Sequence, residues 1–315
     1  ASLLFLVIAL IRADYLRIPT IVKPLRLVLS FLFLFLGFGL NTLAWARAVQ
    51  EAGYPVPLRA GMASGGLSVF AKYIPGKIWV IMGRAEYLCR HYGLGRNHLG
   101  SLSFDAQFVA LWTALLLGTI GILNLGGLEI YGLGVLLVFV LLSLVIYTPL
   151  AQRVAGGLAG RLFRKNIELP KIPFFRVLHL ALYYGLNWMA WCVGFWLMAG
   201  SLLESPLPFS AGFSFGLAGS LGILAVFAPG GLGVREGVLI GMLSLAGIGL
   251  TEANTVALAS RLWFLLGELF VFLLGLALQG RARKGQRAKA ERNEPPSRKN
   301  RTQLSEGESP DYNGA

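Results

Sequence analysis

The chain has 315 residues, 56% of them hydrophobic and 14% charged, and its mean hydropathy of +0.66 lies outside the range of an ordinary soluble domain. Its formal charge of +13 sits in loops and a tail beside apolar runs, as in a membrane protein rather than a nucleic-acid binder. Two cysteines without CxxC spacing, Cys89 and Cys192, and three scattered histidines, His91, His98 and His179, indicate neither a disulfide framework nor a metal site.

The first run, Ala1 to Ile11, is too short for a full span and has no small-residue cleavage site, so it reads as part of a first helix rather than a signal peptide. Leu27 to Ala46 carries no charge and has the roughly 20 residues a helix needs to cross the hydrocarbon core. Further spans are expected at Ser101 to Asn124, Ile130 to Leu150, Val177 to Leu203 and Ala253 to Gln279. Barrel strands would be half as long and would alternate. The expected fold is therefore an all-α polytopic membrane protein, with about six transmembrane helices plus two Pro/Gly-broken re-entrant hairpins. It occupies 1–280, and a disordered basic tail follows over 281–315.

Charge sets the expected topology. Arg281 to Arg301 holds nine basic residues against two acidic ones, and Arg153 to Arg176 holds six against Glu168 alone. Both belong on the cytoplasmic side, so an even number of crossings separates them. Pro208 to Leu250 must then start and finish outside. Its centre, "FAPGGLGVREG" (Phe227 to Gly237), has Pro229, Gly230, Gly231 and Gly233, which break a helix. A break at membrane depth is tolerated only against protein or a water-filled cavity.

An earlier segment, "MASGGLSVFAKYIPGKIW" (Met62 to Trp79), repeats this pattern. Aligning Pro75 with Pro229 also matches Gly76 with Gly230, Gly65 with Gly219, Leu67 with Leu221 and Ala71 with Ala225, and sets Tyr73 beside Phe227. Two inverted repeats are one reading, each a helix, a broken hairpin and a helix, with Ile130 to Leu150 joining them. That arrangement puts Arg84, Arg90 and Arg96 on the cytoplasmic side. It also puts the Arg12 to Arg26 loop outside, against its four basic residues. The alternative is one kinked crossing for Arg59 to Tyr92.

Ionisable residues within spans face a cavity, a partner or a pathway. Here they are Lys72, Lys77 and Arg84 around the first break, Asp105 in the next helix, Arg235 and Glu236 after the second break, and Arg261 and Glu268 in the last helix. A helix restarting after Gly230 would offer backbone N–H groups and its positive dipole end to an anion, and Arg235 would add a guanidinium fork suited to phosphate. The competing reading is that these residues pair with one another, Arg235 with Glu236 or Asp105 and Arg261 with Glu268, and merely join helices. Asn41, Asn187 and Gln107 are expected to make hydrogen bonds between helices. No nucleophile–base pair, GxSxG, HExxH or phosphate loop occurs, so neither catalysis nor a cofactor is expected.

The motifs "KYIPGKIWVIMGRAEYL" (Lys72 to Leu88) and "APGGLGVREG" (Ala228 to Gly237) resemble the signature pair of the lysylphosphatidylglycerol synthase transmembrane family, a flippase-like module found alone or fused to an aminoacyl transferase. The resemblance implies movement of a lipid between leaflets of a bacterial or archaeal cytoplasmic membrane, through a cavity formed by the broken hairpins. It favours Lys72, Pro75, Gly76, Lys77, Arg84, Pro229, Gly230, Gly231, Gly233, Arg235 and Glu236. The sequence contains no transferase domain, so the synthase activity does not carry over. Standalone members are also tied to hopanoid, polyprenyl and glycolipid pathways, which leaves the lipid open. The expected partners are membrane lipids, anionic or aminoacylated, with a separately encoded lipid-modifying enzyme as a further candidate. The alternative function is a membrane enzyme, or an obligate partner of one, in the synthesis of a lipid or lipid-linked glycan.

Overall fold

The computed structural model describes residues 20–74, 78–123, 129–147, 174–225 and 228–293. Among these there are nine α-helices and no strands. Helix α1 is Pro24–Glu51, α2 Leu58–Leu67, α3 Ile78–Tyr92, α4 Arg96–Leu123 and α5 Glu129–Tyr147; α6 is Phe174–Leu202, α7 Ser214–Leu224, α8 Val234–Leu245 and α9 Leu250–Asn293. Of these, α1, α4 and the Leu250–Gly280 part of α9 are long and apolar enough to cross a membrane. The backbone of α9 stays helical to Asn293, past the composition change at Arg281. The run Ala1–Ile11, the basic loop up to 173 and the last part of the tail lie outside the described residues.

The bundle is built for lipid. Helix α1 exposes Leu25, Val28, Leu32 and Leu36, and α9 exposes Leu262, Leu266, Leu269, Leu273 and Leu276. These spacings of three and four residues make one apolar stripe on each helix. Among the described residues six charged side chains are buried instead, Arg84, Asp105, Arg235, Glu236, Arg261 and Glu268. Apolar groups outside and ionised groups inside reverse the soluble pattern and suit a chain whose exterior solvent is hydrocarbon.

The two long helices α1 and α6 pack along each other in opposite directions. Arg176 donates to the Glu51 carbonyl at 3.3 Å at one end, Asn41 Nδ2 donates to Asn187 Oδ1 at 2.9 Å in the middle, and Lys23 Nζ donates to the Leu203 carbonyl at 3.1 Å at the other end. The asparagine pair is the interhelical bond expected of these residues. Gln107 has no such bond to a neighbouring helix among the described residues.

Each half places a broken hairpin after its long helix. In the first, α2 turns back along α1, with Trp45 Nε1 donating to Ser64 Oγ at 2.8 Å. The returning arm α3 brings Arg84 over the same Trp45 ring, 4.4 Å from its centroid. Outgoing and returning arms thus meet one residue of α1, and Val56, Ala60, Ala85 and Leu88 cluster with Val49 near the end of α1. The segment is a re-entrant hairpin, and one kinked crossing does not describe it. In the second half α7 and α8 pair the same way: Leu217 clusters with Met242, and Leu221 and Val238 pack against them.

The packing partners also correspond. Helix α9 lies on α2 and α4 lies on α7, in both cases through glycine. A Cβ on Gly118 would meet Leu217 at 3.1 Å, and one on Gly275 would meet the Leu67 nitrogen at 3.0 Å. Because α1 and α6 are antiparallel, the hairpins that follow them enter the bundle from opposite ends. They meet tip to tip, and a Cβ on Gly230 would touch the Tyr73 ring at 2.9 Å. This is the arrangement expected of inverted repeats.

Candidate functional site

The meeting of the two tips is where most of the buried charge collects. After α7 the chain leaves the helix at Ala225, makes a single 3-10 turn at Pro229–Gly231 and restarts as α8. Gly230, Gly231 and Gly233 hold φ of 62°, 73° and 81°, a region that side-chain-bearing residues enter only at a cost. The glycines let the backbone turn back within a few residues. Arg235 and Glu236 are therefore delivered, inside the bundle, on the first turn of α8. On the other side, the 3-10 turn Val69–Tyr73 presents Lys72 and Tyr73. Pro75, Gly76 and Lys77 lie outside the described residues.

Helix α9 supplies the common wall. Arg261, Phe264 and Glu268 follow one another at intervals of three and four residues, so they share one face. Glu268, 2% exposed in its side chain, pairs through Oε1 with Lys72 Nζ and accepts the Tyr73 hydroxyl at Oε2, 2.8 Å away. Arg261 Nη1 donates to Glu236 Oε1 at 2.9 Å and to the Gly230 carbonyl at 3.3 Å. Glu236 Oε2 accepts the Gly233 N–H at 2.8 Å, which caps α8 and sets a carboxylate against its positive dipole end. The last helix is thus tied to both hairpins, by its acid to the first and by its base to the second.

Arg235 is different. Its guanidinium is clamped between the rings of Phe215 and Phe264, 4.6 Å from each centroid, and the residue is 8% exposed. No carboxylate lies within 4.0 Å of it, and its Nη2 has no hydrogen-bond partner among the described residues. Arg261 Nη2 is likewise buried without a partner. Stacking on two aromatic faces fixes the plane of the Arg235 fork while leaving its N–H edges open. A desolvated cation with open donors favours an anion strongly. Between α8 and α9 lies a cavity of about 210 Å³, lined by Gly233, Glu236, Gly237, Ile240, Asn254, Ala257 and Leu258.

The expected residues divide. Lys72, Arg235, Glu236, Arg261 and Glu268 come together around the two tips. Arg84 does not join them: its stack on Trp45 is fixed by donation from Nε to Ser103 Oγ at 2.6 Å and from Nη2 to the Ser103 carbonyl, so it binds α3 to α1 and α4. Asp105 is buried on α4, two residues beyond Ser103, with no ion pair among the described residues. The expected pairings also change, because Glu236 takes Arg261 rather than Arg235 and Glu268 takes Lys72. At the helix end expected after Gly230, the Gly233 N–H is already taken by Glu236.

Tyr73, Phe215 and Phe264 belong to the site and were not singled out by the sequence. Phe264 had a signal, since it lies between Arg261 and Glu268 on their shared face. Phe215 had none, as its position depends on how α7 packs against α9. The described residues contain no cluster of metal-ligating side chains.

The family model for the lysylphosphatidylglycerol synthase TM region matches residues 1–275. Neither a curated protein nor a solved structure matches the chain. The matched segment takes in α1 to α8 and the wall of α9 that carries Arg261, Phe264 and Glu268. With 275 of its 315 residues matched, the chain is a multi-pass membrane protein and belongs to the lysylphosphatidylglycerol synthase TM-region family.

Proposed function

We propose that the protein is a flippase that carries an anionic or aminoacylated phospholipid, or a related phosphate-bearing lipid, between membrane leaflets. The observation that carries this reading is Arg235, a buried guanidinium clamped by Phe215 and Phe264 with open donors, at the point where two hairpins from opposite ends of the bundle meet. A lipid phosphate needs a cation at membrane depth if it is to leave the surface, and acyl chains can stay in the bilayer while the headgroup crosses. With Lys72, Arg235 and Arg261 against Glu236 and Glu268, the site keeps an excess of one positive charge, which matches a singly charged phosphodiester. The cavity beside Glu236 offers room for the rest of the headgroup.

In this reading the chain performs no chemistry on the lipid, which a separately encoded enzyme would make. The basic loop and tail would face the cytoplasm of a bacterial or archaeal cell, where they attract anionic headgroups. Proteoliposomes containing a fluorescent phosphatidylglycerol test the reading through quenching of the outer leaflet. Exchange is expected with the wild type and a loss of at least about tenfold with Arg235→Gln, since removing one partner of a buried charged contact costs a few kcal/mol. Equal exchange in both would remove the site from the mechanism. If incubation with lipid extract instead yields a lipid of new mass, the enzymatic alternative is correct.

A further inference from the structure

We propose that Glu268 is the internal competitor of the lipid phosphate for Arg235, and that Lys72, by holding Glu268, decides whether the anion site is open. The inference rests on the assignment of Arg235 as the phosphate group's partner. It assigns roles to two residues that do not themselves bind the phosphate.

Three observations carry it. First, both oxygens of Glu268 are held by the first hairpin, Oε1 by Lys72 and Oε2 by Tyr73. Second, Lys72 and Arg235 lie against the same ring. The Lys72 nitrogen is 5.1 Å and the Arg235 guanidinium 4.6 Å from the Phe264 centroid, and Glu268 stands one turn beyond Phe264 on the same helix face. Third, the other candidate partners are engaged. Glu236 is shared between Arg261 and the Gly233 N–H, so it cannot turn to Arg235 without uncovering both.

The asymmetry of burial gives the exchange its direction. In the Lys72–Glu268 pair the lysine side chain is 28% exposed and the glutamate 2%. The lysine, on a hairpin tip and less enclosed, can withdraw with its hairpin, whereas the carboxylate on α9 cannot. A buried carboxylate that loses its cation must find another. Of the three cations at the two tips, Lys72, Arg235 and Arg261, the one left without a carboxylate is Arg235, beside the Phe264 ring. Once Glu268 turns to it, the guanidinium is neutralised internally and a bound phosphate loses its counter-charge. Latched on Lys72, the site binds; unlatched, it releases. A movement of the first hairpin is thereby coupled to discharge at the second.

The test uses the full chain in detergent micelles and in proteoliposomes. Fluorescent phosphatidylglycerol is the probe, with affinity read by anisotropy and exchange by quenching. Lys72→Met is expected to weaken binding about tenfold, within the usual range of coupling between sites, because Glu268 then occupies Arg235. Lys72→Arg should bind as the wild type does. Glu268→Gln should bind at least as tightly as the wild type while exchanging more slowly. The double variant Lys72→Met/Glu268→Gln should regain wild-type affinity, a rescue that simple loss of packing would not produce. Undiminished binding in Lys72→Met, or a double variant as weak as Lys72→Met, would overturn the competition. Should Lys72→Met fail to fold, Glu268→Gln decides, and weaker binding there overturns the proposal. Failure of the underlying assignment looks different, because in that case Arg235→Gln itself binds like the wild type.

Discussion

At the scale of single residues, the second break separates two costs that are usually mixed. Gly230 and Gly233 both have positive φ, but a Cβ on Gly230 would press on the Tyr73 ring at 2.9 Å while one on Gly233 would meet nothing within 4 Å. Gly233→Ala should therefore cost only the backbone strain, about 1–2 kcal/mol. Gly230→Ala should cost more and should also disturb the contact between the tips. Thermal unfolding in detergent ranks the two, and equal losses would mean that the tips are not in contact. The Glu236–Arg261 pair allows a second comparison. Glu236→Gln removes the charge that faces Arg261 and strands a buried guanidinium, so it should destabilise by about 3–5 kcal/mol. Adding Arg261→Met should restore much of that, since an uncharged pair of similar volume leaves no lone buried charge.

At the scale of elements, the long helices were legible because a span of about 20 apolar residues has few alternatives in lipid. Expected spans such as Leu27 to Ala46 and Val177 to Leu203 fall within or against α1 and α6. The breaks were legible too, as Pro and Gly act on the backbone locally. The packing surfaces were only partly so. Glycines at 66 and 275 look like generic membrane glycines in sequence, yet each faces the backbone of the other's helix, with Gly66 against the Val271 carbonyl. In lipid, such close approach is a main source of helix association. Gly66→Val should therefore loosen α2 from α9 and lower the melting temperature, whereas the same change at Gly39, which has nothing within 4 Å, should be nearly neutral. Parity between the two variants in a detergent melting series would count against glycine-mediated packing of the hairpin.

For the whole molecule, Arg90, Arg96 and Arg176 gather at one end, while Lys23 and Arg26 lie at the other, beside Leu203 and Trp196. The turn around Gly93 lies near Arg90 and Arg96, Arg176 reaches the Glu51 carbonyl at the same end, and α9 runs past α2 toward it. The turn at Gly247, between α8 and α9, lies at the other end. The proposed orientation sets the first end in the cytoplasm. Single cysteines at Gly93 and at Gly247, in a background lacking Cys89 and Cys192, should react with an impermeant maleimide from opposite sides of the membrane. Labelling of both from one side would refute the inverted relation of the halves.

The sequence by itself determined that the chain is helical and membrane-bound and where its helices are interrupted. Those properties depend on local backbone chemistry and on the cost of placing ionised groups in hydrocarbon, both of which act along the chain. Partner choice depends on distance in space. Only the tertiary structure gave Glu236 to Arg261 and Glu268 to Lys72, moved Arg84 onto Trp45 and Ser103, and left Arg235 between two aromatic rings with its donors open. Residues 25 apart on neighbouring helices, or 196 apart across the two halves, can exchange partners without any change in the local pattern. The antiparallel packing of α1 and α6 decided which of them met.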